Sequence, residues 1–266
     1  MKSIYFLCLN ALQFVPYAYG LLKNYAEMDH RIRGSYFWHE PLHRMEPEDR
    51  LLEKIPHPDV LCASCYVWNR EQQTRVAARV KERHPNCRVI FGGPHVPDES
   101  EPFLRQHPYI DFLVHGEGEI ALRDLLASFL EKTPEFSRIP GISYMCGGQY
   151  IHTGPGKQLP KELPGTSPYL DGTFDAFFAG GITGKIALWE TNRGCPYACA
   201  FCDWGVRSTN KIRIHAMDKL RREIQRMAEA GVEDIYVTDC NFGIFERDIA
   251  ITRMLVESKQ QTGYPK

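Results

Sequence analysis

Asp59-Val60-Leu61-Cys62-Ala63-Ser64-Cys65 is an apolar run of strand-like residues. After a short loop it gives way to residues 71–83, where Val76, Ala77 and Val80 recur at helical spacing. Arg75, Arg79 and Arg83 fall on the opposite face, towards water. Arg88-Val89-Ile90-Phe91 then restores a β-rich run, closed by Gly92-Gly93-Pro94. Strand, amphipathic helix and strand in so short a span predict parallel pairing, because the helix carries the chain back across the sheet.

The rhythm repeats on either side. Residues 3–9 read as a strand and 17–28 as a helix, with a weaker strand near 34–38. Residues 110–114 are another strand, closed by Gly116, before a helix with Ala121, Leu125, Leu126 and Phe129 at helical spacing. The prediction is an α/β domain over residues 1–135: a doubly wound, Rossmann-like parallel sheet of the flavodoxin type. Residues 142–146 and 149–153, joined by Gly147-Gly148, predict a β-hairpin. With the Pro- and Gly-rich residues that follow, it forms a connecting segment over 136–184. Strand–helix alternation restarts in residues 185–266. Residues 185–190 and 234–238 read as strands, 217–230 and 247–259 as helices, with Met217, Leu220, Ile224 and Met227 along one stripe.

The 266 residues carry 32 Lys+Arg against 33 Asp+Glu and are 43% hydrophobic. That balance supplies no basic field for nucleic acid, and no segment approaches the roughly 20 apolar residues of a membrane span. Met1-Lys2, the apolar run from Ile4 to Leu9 and Ala18-Tyr19-Gly20 imitate a secretory signal. Asn10, Gln13 and Pro16 interrupt it, however, and a buried first strand explains the same residues. Nine cysteines, an odd number, suit a reducing cytoplasmic setting better than a disulfide framework.

Three of those cysteines carry the strongest chemical signal. Cys195-Pro196-Tyr197-Ala198-Cys199-Ala200-Phe201-Cys202 is a C-x3-C-x2-C loop directly after a predicted strand. A structural zinc site normally takes four protein ligands, and His215 and Cys240 stand far beyond this loop. Three thiolates suit an iron–sulfur cube whose fourth iron stays open to an exchangeable ligand. Cys62 and Cys65 form only a C-x2-C pair on a strand, where side chains three apart face opposite ways; they read as buried small residues.

The loop resembles the cluster-binding loop of the radical S-adenosylmethionine enzymes, Phe201 before the last cysteine included. The resemblance implies the start of a partial (β/α)6 barrel, a [4Fe-4S] cluster on Cys195, Cys199 and Cys202, and S-adenosylmethionine chelated at the open iron. It also implies a low-potential electron donor of the flavodoxin or ferredoxin type. Asp239, at the end of the second barrel strand and followed by Asn241-Phe242-Gly243, sits where that family contacts the amino group of the cosubstrate; capping of the local backbone is an equal reading. Asp203-Trp204-Gly205 is distinctive and has no derived role.

Three strand-end loops of the first domain, Tyr66-Val67-Trp68-Asn69-Arg70, Gly92-Gly93-Pro94-His95 and Gly116-Glu117-Gly118-Glu119, look in order and spacing like a cobalamin-binding domain. This implies a corrin pocket lined by those residues, with Asn10 at the end of the first strand. His95 reads equally as a contact to corrin side chains and as a ring satisfying its own loop. Cobalamin domains that ligate cobalt through histidine carry D-x-H-x-x-G after the first strand, whereas this chain has Asn10-Ala11-Leu12-Gln13-Phe14. The near miss, Asp29-His30 with Gly34, has the wrong spacing. No histidine is therefore expected on cobalt; its lower face would be empty, water-bound or covered by the loop of Trp68 and Arg70. An unligated face would ease cycling through cob(I)alamin, which suits methyl transfer.

The implied enzyme is a cobalamin-dependent radical S-adenosylmethionine methyltransferase acting on an unactivated carbon or phosphorus centre of a small molecule or peptide. Its rivals are oxidation, cyclisation or ring contraction with the same cofactors, and a non-catalytic corrinoid or iron–sulfur module. A (β/α)6 barrel needs about 200 residues, judging from eight units in about 250. Only two strand–helix units follow here, so the reading expects either a portion of a longer enzyme or a partner that completes the sheet, and favours the first because an open parallel edge at 234–238 is a liability.

Overall fold

The computed structural model describes residues 1–10, 14–164, 166–179, 186–202 and 211–266. The chain divides into two compact units, one of residues 1–12 and 22–158, the other of residues 13–21 and 159–266.

The first unit is built in chain order from β1 (Lys2–Asn10), α1 (Tyr17–Ala26), α2 (His30–Ser35), β2 (Tyr36–Trp38), β3 (Leu42–Arg44), α3 (Glu48–Glu53), β4 (Val60–Ser64), α4 (Arg70–Arg83), β5 (Arg88–Gly92), α5 (Ser100–Gln106), β6 (Phe112–Val114), α6 (Gly118–Ser128), β7 (Ile142–Cys146) and β8 (Gln149–His152). The first turns of α1 are counted with the second unit. The sheet runs β2-β1-β4-β5-β6-β7-β8, with β3 also pairing β1. Strands β2, β1, β4, β5 and β6 are mutually parallel. Numbered among themselves they follow the 2-1-3-4-5 order of a flavodoxin-type sheet, with the switch point between β1 and β4.

Its core is continuous across the parallel strands: Leu7 and Leu9 of β1, Leu61 of β4, Val89 and Phe91 of β5 and Leu113 of β6 are buried together. Each such side chain contributes about 1.5–3 kcal/mol of burial. Helix α4 adds Val76, Ala77 and Val80, the stripe read from spacing, and also buries Gln73 and Thr74. The hairpin β7–β8 continues the sheet: β7 pairs antiparallel with β6, through Leu113 with Ser143 and Val114 with Ile142. This hairpin, read above as connecting chain, is hydrogen-bonded into the first unit. Helices α3 and α5, of six and seven residues, were not foreseen. Each buries only two residues, too few to set up a period.

The second unit contains α7 (Asp175–Ala179), β9 (Ile186–Trp189), β10 (Asn192–Arg193), β11 (Arg213–Ile214), α8 (Met217–Glu229), β12 (Asp234–Val237) and α9 (Glu246–Thr262). Strands β9 and β12 pair in parallel, from Ile186 with Asp234 to Trp189 with Val237. Each is followed by a helix, the beginning of a β/α barrel. Leu220, Ile224 and Met227 of α8 are buried as the stripe requires, while Met217 is half-buried. Lys219 and Glu223 are buried too, as an ion pair of 2.9 Å. Glu223 further accepts from Trp189 Nε1 at 2.8 Å and from Ser167 Oγ at 2.5 Å, tying α8 to the first barrel strand. Among the described residues no helix is long and apolar enough to cross a membrane.

Candidate functional site

The carboxyl ends of β1, β4, β5 and β6 form one edge of the first sheet, and every first-unit site residue expected from the sequence stands on it. Asn10 ends β1 and is half-buried. After β4 the chain turns sharply: Asn69 N and Arg70 N both donate to Tyr66 O, at 3.2 and 3.1 Å. Asn69 is 2% exposed. Its Oδ1 accepts from Tyr66 N at 2.8 Å, and its Nδ2 donates to Leu9 O and Ser64 O. Each of these bonds of the side chain ends on backbone, so it shapes the edge. The turn presents Trp68, half exposed, with its ring stacked on Tyr66 at 4.6 Å and 13°. Arg70 begins α4 and lies 6.0 Å from the Phe103 ring.

The loop after β5 is laced to the loop after β4. Cys65 N donates to Gly92 O at 2.6 Å and His95 N to Cys65 O at 3.2 Å. Gly93 has φ +107, and a Cβ there would meet Cys65 O at 2.7 Å, so only glycine permits this approach. Pro94 is exposed and His95 half-buried. After β6, Gly116 is exposed, Glu117 and Gly118 are half-buried, and Glu119 is buried in the first turn of α6.

Cys62 and Cys65 are buried, free thiols, and burial pushes both upwards, Cys65 to about 12, far from reactive thiolates. Asp29 of the near-miss motif caps α2, accepting from Arg31 N at 2.9 Å. Residues 11–13 of the segment after β1 lie outside the described residues, as do Asp203, Trp204 and Gly205.

In the second unit β9 leads into Glu190-Thr191-Asn192-Arg193-Gly194-Cys195. Gly194 has φ +106, and a Cβ would stand 2.6 Å from Lys211 O, where the short antiparallel pair β10–β11 closes. Cys195 is buried, Cys202 half-buried and Cys199 exposed, with Cys202 N donating to Cys199 O at 3.0 Å. Phe201 is 93% exposed.

Asp239 at the end of β12 reaches the start of this loop. It accepts from Thr191 N at 2.7 Å, from Asn192 N at 3.2 Å and from Asn192 Nδ2 at 2.7 Å, and also from Thr191 Oγ1. Burial raises its pKa above the usual carboxylate value, opposed by these donors. These bonds tie Asp239 to chain 47 and 48 residues earlier, not to the backbone that follows it. Asn241, two residues on, donates from Nδ2 to Cys195 Sγ at 3.0 Å. Cys240 is raised chiefly by burial, and next by the negative charge of Cys195, Asp239 and Cys202, which places the turn after β12 beside the cysteine loop.

Sequence reasoning missed the frame around the loop. Glu190 pairs with Arg193 through Nε at 2.8 Å and Nη2 at 2.9 Å. Arg247 of α9 donates to Thr191 O at 3.3 Å and His215 O at 2.7 Å. The i, i+3 acid–base spacing just before the cysteines was the available signal. Arg247 had none, being 56 residues from its partner Thr191.

The donor set fits an iron–sulfur group: three soft thiols in one short loop, with an amide already aimed at one sulfur. Among the described residues no three metal-ligating side chains form a ready site, so the thiols would converge on binding. On the first-unit edge Trp68 leaves half of its ring exposed, braced by Tyr66, an aromatic face that suits a flat ligand.

A family of B12 binding domains matches residues 44–126. Across all of its length the chain is 45% identical to the 2-(S-pantetheinyl)-carbapenam-3-carboxylate methyltransferase of Streptantibioticus cattleyicolor, covering 39% of that relative. It is 43% identical to the cobalamin-dependent radical SAM methyltransferase TokK of Streptomyces tokunonensis, with the same coverage. The radical S-adenosylmethionine methyltransferase TsrM from Kitasatospora setae superposes with a TM-score of 0.70 at 16% identity, over 100% of this chain and 53% of that one. At that identity the likeness establishes the fold alone. The chain spans about two fifths of the length of the curated relatives it matches. Over that span it is similar to the cobalamin-dependent radical S-adenosylmethionine methyltransferases, and residues 44–126 carry the match to the B12 binding domains.

Proposed function

We propose that the chain forms the cobalamin- and cluster-binding portion of a methyltransferase that alkylates an unactivated carbon of a natural-product intermediate. The substrate class is a bicyclic carbapenam carboxylate bearing a pantetheinyl thioether, as the name of the 45%-identical relative states for that enzyme. One observation carries the reading: this chain joins the strand-end loops of a B12 binding domain to a C-x3-C-x2-C loop that follows a barrel strand. When bound, the cluster supplies the electron that cleaves S-adenosylmethionine, and the corrin carries the methyl group.

The chain's own residues do the rest. Cys195, Cys199 and Cys202 would hold the cluster, and a loop with three thiols would leave room on it for S-adenosylmethionine. Asp239, by fixing Thr191 and Asn192, orients the backbone that enters the cysteine loop. Tyr66, Trp68, Arg70, Gly92, Gly93, Pro94, His95, Gly116, Glu117 and Gly118 line the corrin pocket, and Asn10, Asn69 and Glu119 support its rim. Trp68, half exposed and braced by Tyr66, would pack against the corrin and shield it from water, in a chain that carries no D-x-H-x-x-G motif after its first strand. A flavodoxin- or ferredoxin-type protein delivers the electron, in the cytoplasm.

The test is anaerobic reconstitution with iron, sulfide and hydroxocobalamin, followed by metal counting and incubation with S-adenosylmethionine, reductant and the carbapenam. Near four iron and one cobalt per chain, with a methyl label passing to the carbapenam, is the expected result. Iron without cobalt would remove the corrin from the reading, and zinc in place of iron would overturn it. Oxidised carbapenam without label would replace methyl transfer by the redox alternative.

A further inference from the structure

The turn after β12 is held from both sides. On one side Asp239 accepts four bonds from Thr191 and Asn192. On the other, Asp248 of α9, 1% exposed, accepts through Oδ2 from Gly243 N at 2.9 Å and Phe245 N at 3.0 Å. Between these two pinned carboxylates stands Asn241. It is half-buried, and its Nδ2 lies 3.0 Å from Sγ of the buried residue Cys195. An N–H aimed at a thiolate in a partly dry setting acts with little screening from solvent.

We propose that Asn241 is a positioning residue that sets the reduction potential of the cluster, through the hydrogen bond from Nδ2 to Cys195 Sγ. The inference rests on the reading that Cys195, Cys199 and Cys202 hold an iron–sulfur cluster. One-electron reduction places an additional negative charge on the cluster and its sulfurs. A fixed N–H donor stabilises that more negative state more than the oxidised one, so it raises the potential. Removing the donor moves the equilibrium towards the oxidised cluster. No bond forms or breaks, and the electron comes from the reductant used in the measurement. The role differs from the contact to the cosubstrate's amino group that the family resemblance suggested for this region: the partner is a cluster ligand, and the donor is the residue two beyond Asp239.

The experiment is a redox titration followed by electron paramagnetic resonance on the reconstituted chain, without S-adenosylmethionine, for wild type, Asn241→Leu and Asn241→Asp. Leucine keeps the bulk without the donor, and aspartate keeps the shape while presenting an oxygen to sulfur. Iron and sulfide are counted for each. The expected result is unchanged iron content with the reduction equilibrium moved about tenfold towards the oxidised form in Asn241→Leu, about 59 mV for one electron. Asn241→Asp moves it at least as far, and decides the matter alone where the leucine variant does not fold. Wild-type potentials in iron-loaded variants overturn the inference and leave the cluster reading intact. Loss of iron from both variants, with wild type loaded, also overturns it, making Asn241 a residue of assembly. A wild type without iron overturns the cluster reading itself, and is seen before any variant is compared.

Discussion

Asn69 Nδ2 donates to Leu9 O at 3.0 Å, a bond between residues 60 apart that ties the carboxyl end of β4 to that of β1. The same nitrogen donates to Ser64 O at 3.1 Å, so one amide clamps both strand ends at the switch point where ligands of doubly wound sheets bind. Asn69→Ala leaves two buried carbonyls and Tyr66 N without this partner. The expected cost is about 1–3 kcal/mol in urea unfolding, with cobalamin affinity falling alongside. A variant of unchanged stability with weakened cobalamin binding would instead make Asn69 a direct contact.

Trp68 behaves in the opposite way. Its ring is 51% exposed and rests on Tyr66. Trp68→Ala is expected to change stability by no more than about 0.5 kcal/mol. Hydroxocobalamin affinity, followed by absorbance titration, is expected to weaken about tenfold, the worth of one aromatic contact. Equal affinity in the variant would remove Trp68 from the corrin pocket.

The contrast between these two residues shows what spacing can reveal. Both lie in Tyr66-Val67-Trp68-Asn69-Arg70, and the sequence treats them as equal lining. What separates them is a hydrogen bond to Leu9 that no local pattern encodes. The parallel sheet was legible because Val76, Ala77 and Val80 repeat at helical spacing between two apolar strands, and because nothing non-local is needed to read a period. The cysteine loop was legible for the same reason, all three cysteines lying within eight residues. Asp239 and Asn241 lie 40 or more residues from Thr191, Asn192 and Cys195, so their partners emerge only when β9 and β12 pair.

His215 gives the second unit a pH-dependent stability. It is 4% exposed, and neither ring nitrogen has a hydrogen-bond partner among the described residues. Burial first, then the charges of Lys219, Arg193 and Arg247, hold its pKa down at about 2. Glu190 Oε1 lies 3.9 Å from Nε2, but that carboxylate is already paired with Arg193. The ring therefore folds neutral, while the unfolded chain takes up a proton near pH 6.5. Stability is fully present above that pH and falls by about 1.4 kcal/mol per unit below it. Urea unfolding from about pH 7.5 to 5.5 measures the slope. His215→Phe is expected to flatten it, and a variant with the wild-type slope would exclude His215 as its source.

Cysteine replacement separates ligands from packing. Cys195→Ala, Cys199→Ala and Cys202→Ala each remove one of the three thiols proposed to hold the cluster. Iron after anaerobic reconstitution is expected to fall to background in each, and the broad visible absorbance of the cluster with it. The exposed Cys199 is the most telling of the three, since its loss leaves packing unchanged. Cys62→Ala and Cys65→Ala remove thiols that burial keeps protonated, so iron content is expected to stay at the wild-type level. Their cost is in stability, about 1 kcal/mol for a buried sulfur removed from a packed sheet. Cys240→Ala is the control between these groups, because its thiol is exposed yet feels the charge of Cys195 and Cys202. With three ligands sufficient, Cys240→Ala is expected to keep its iron. Loss of iron in that variant would make Cys240 a fourth ligand and close the position that S-adenosylmethionine needs.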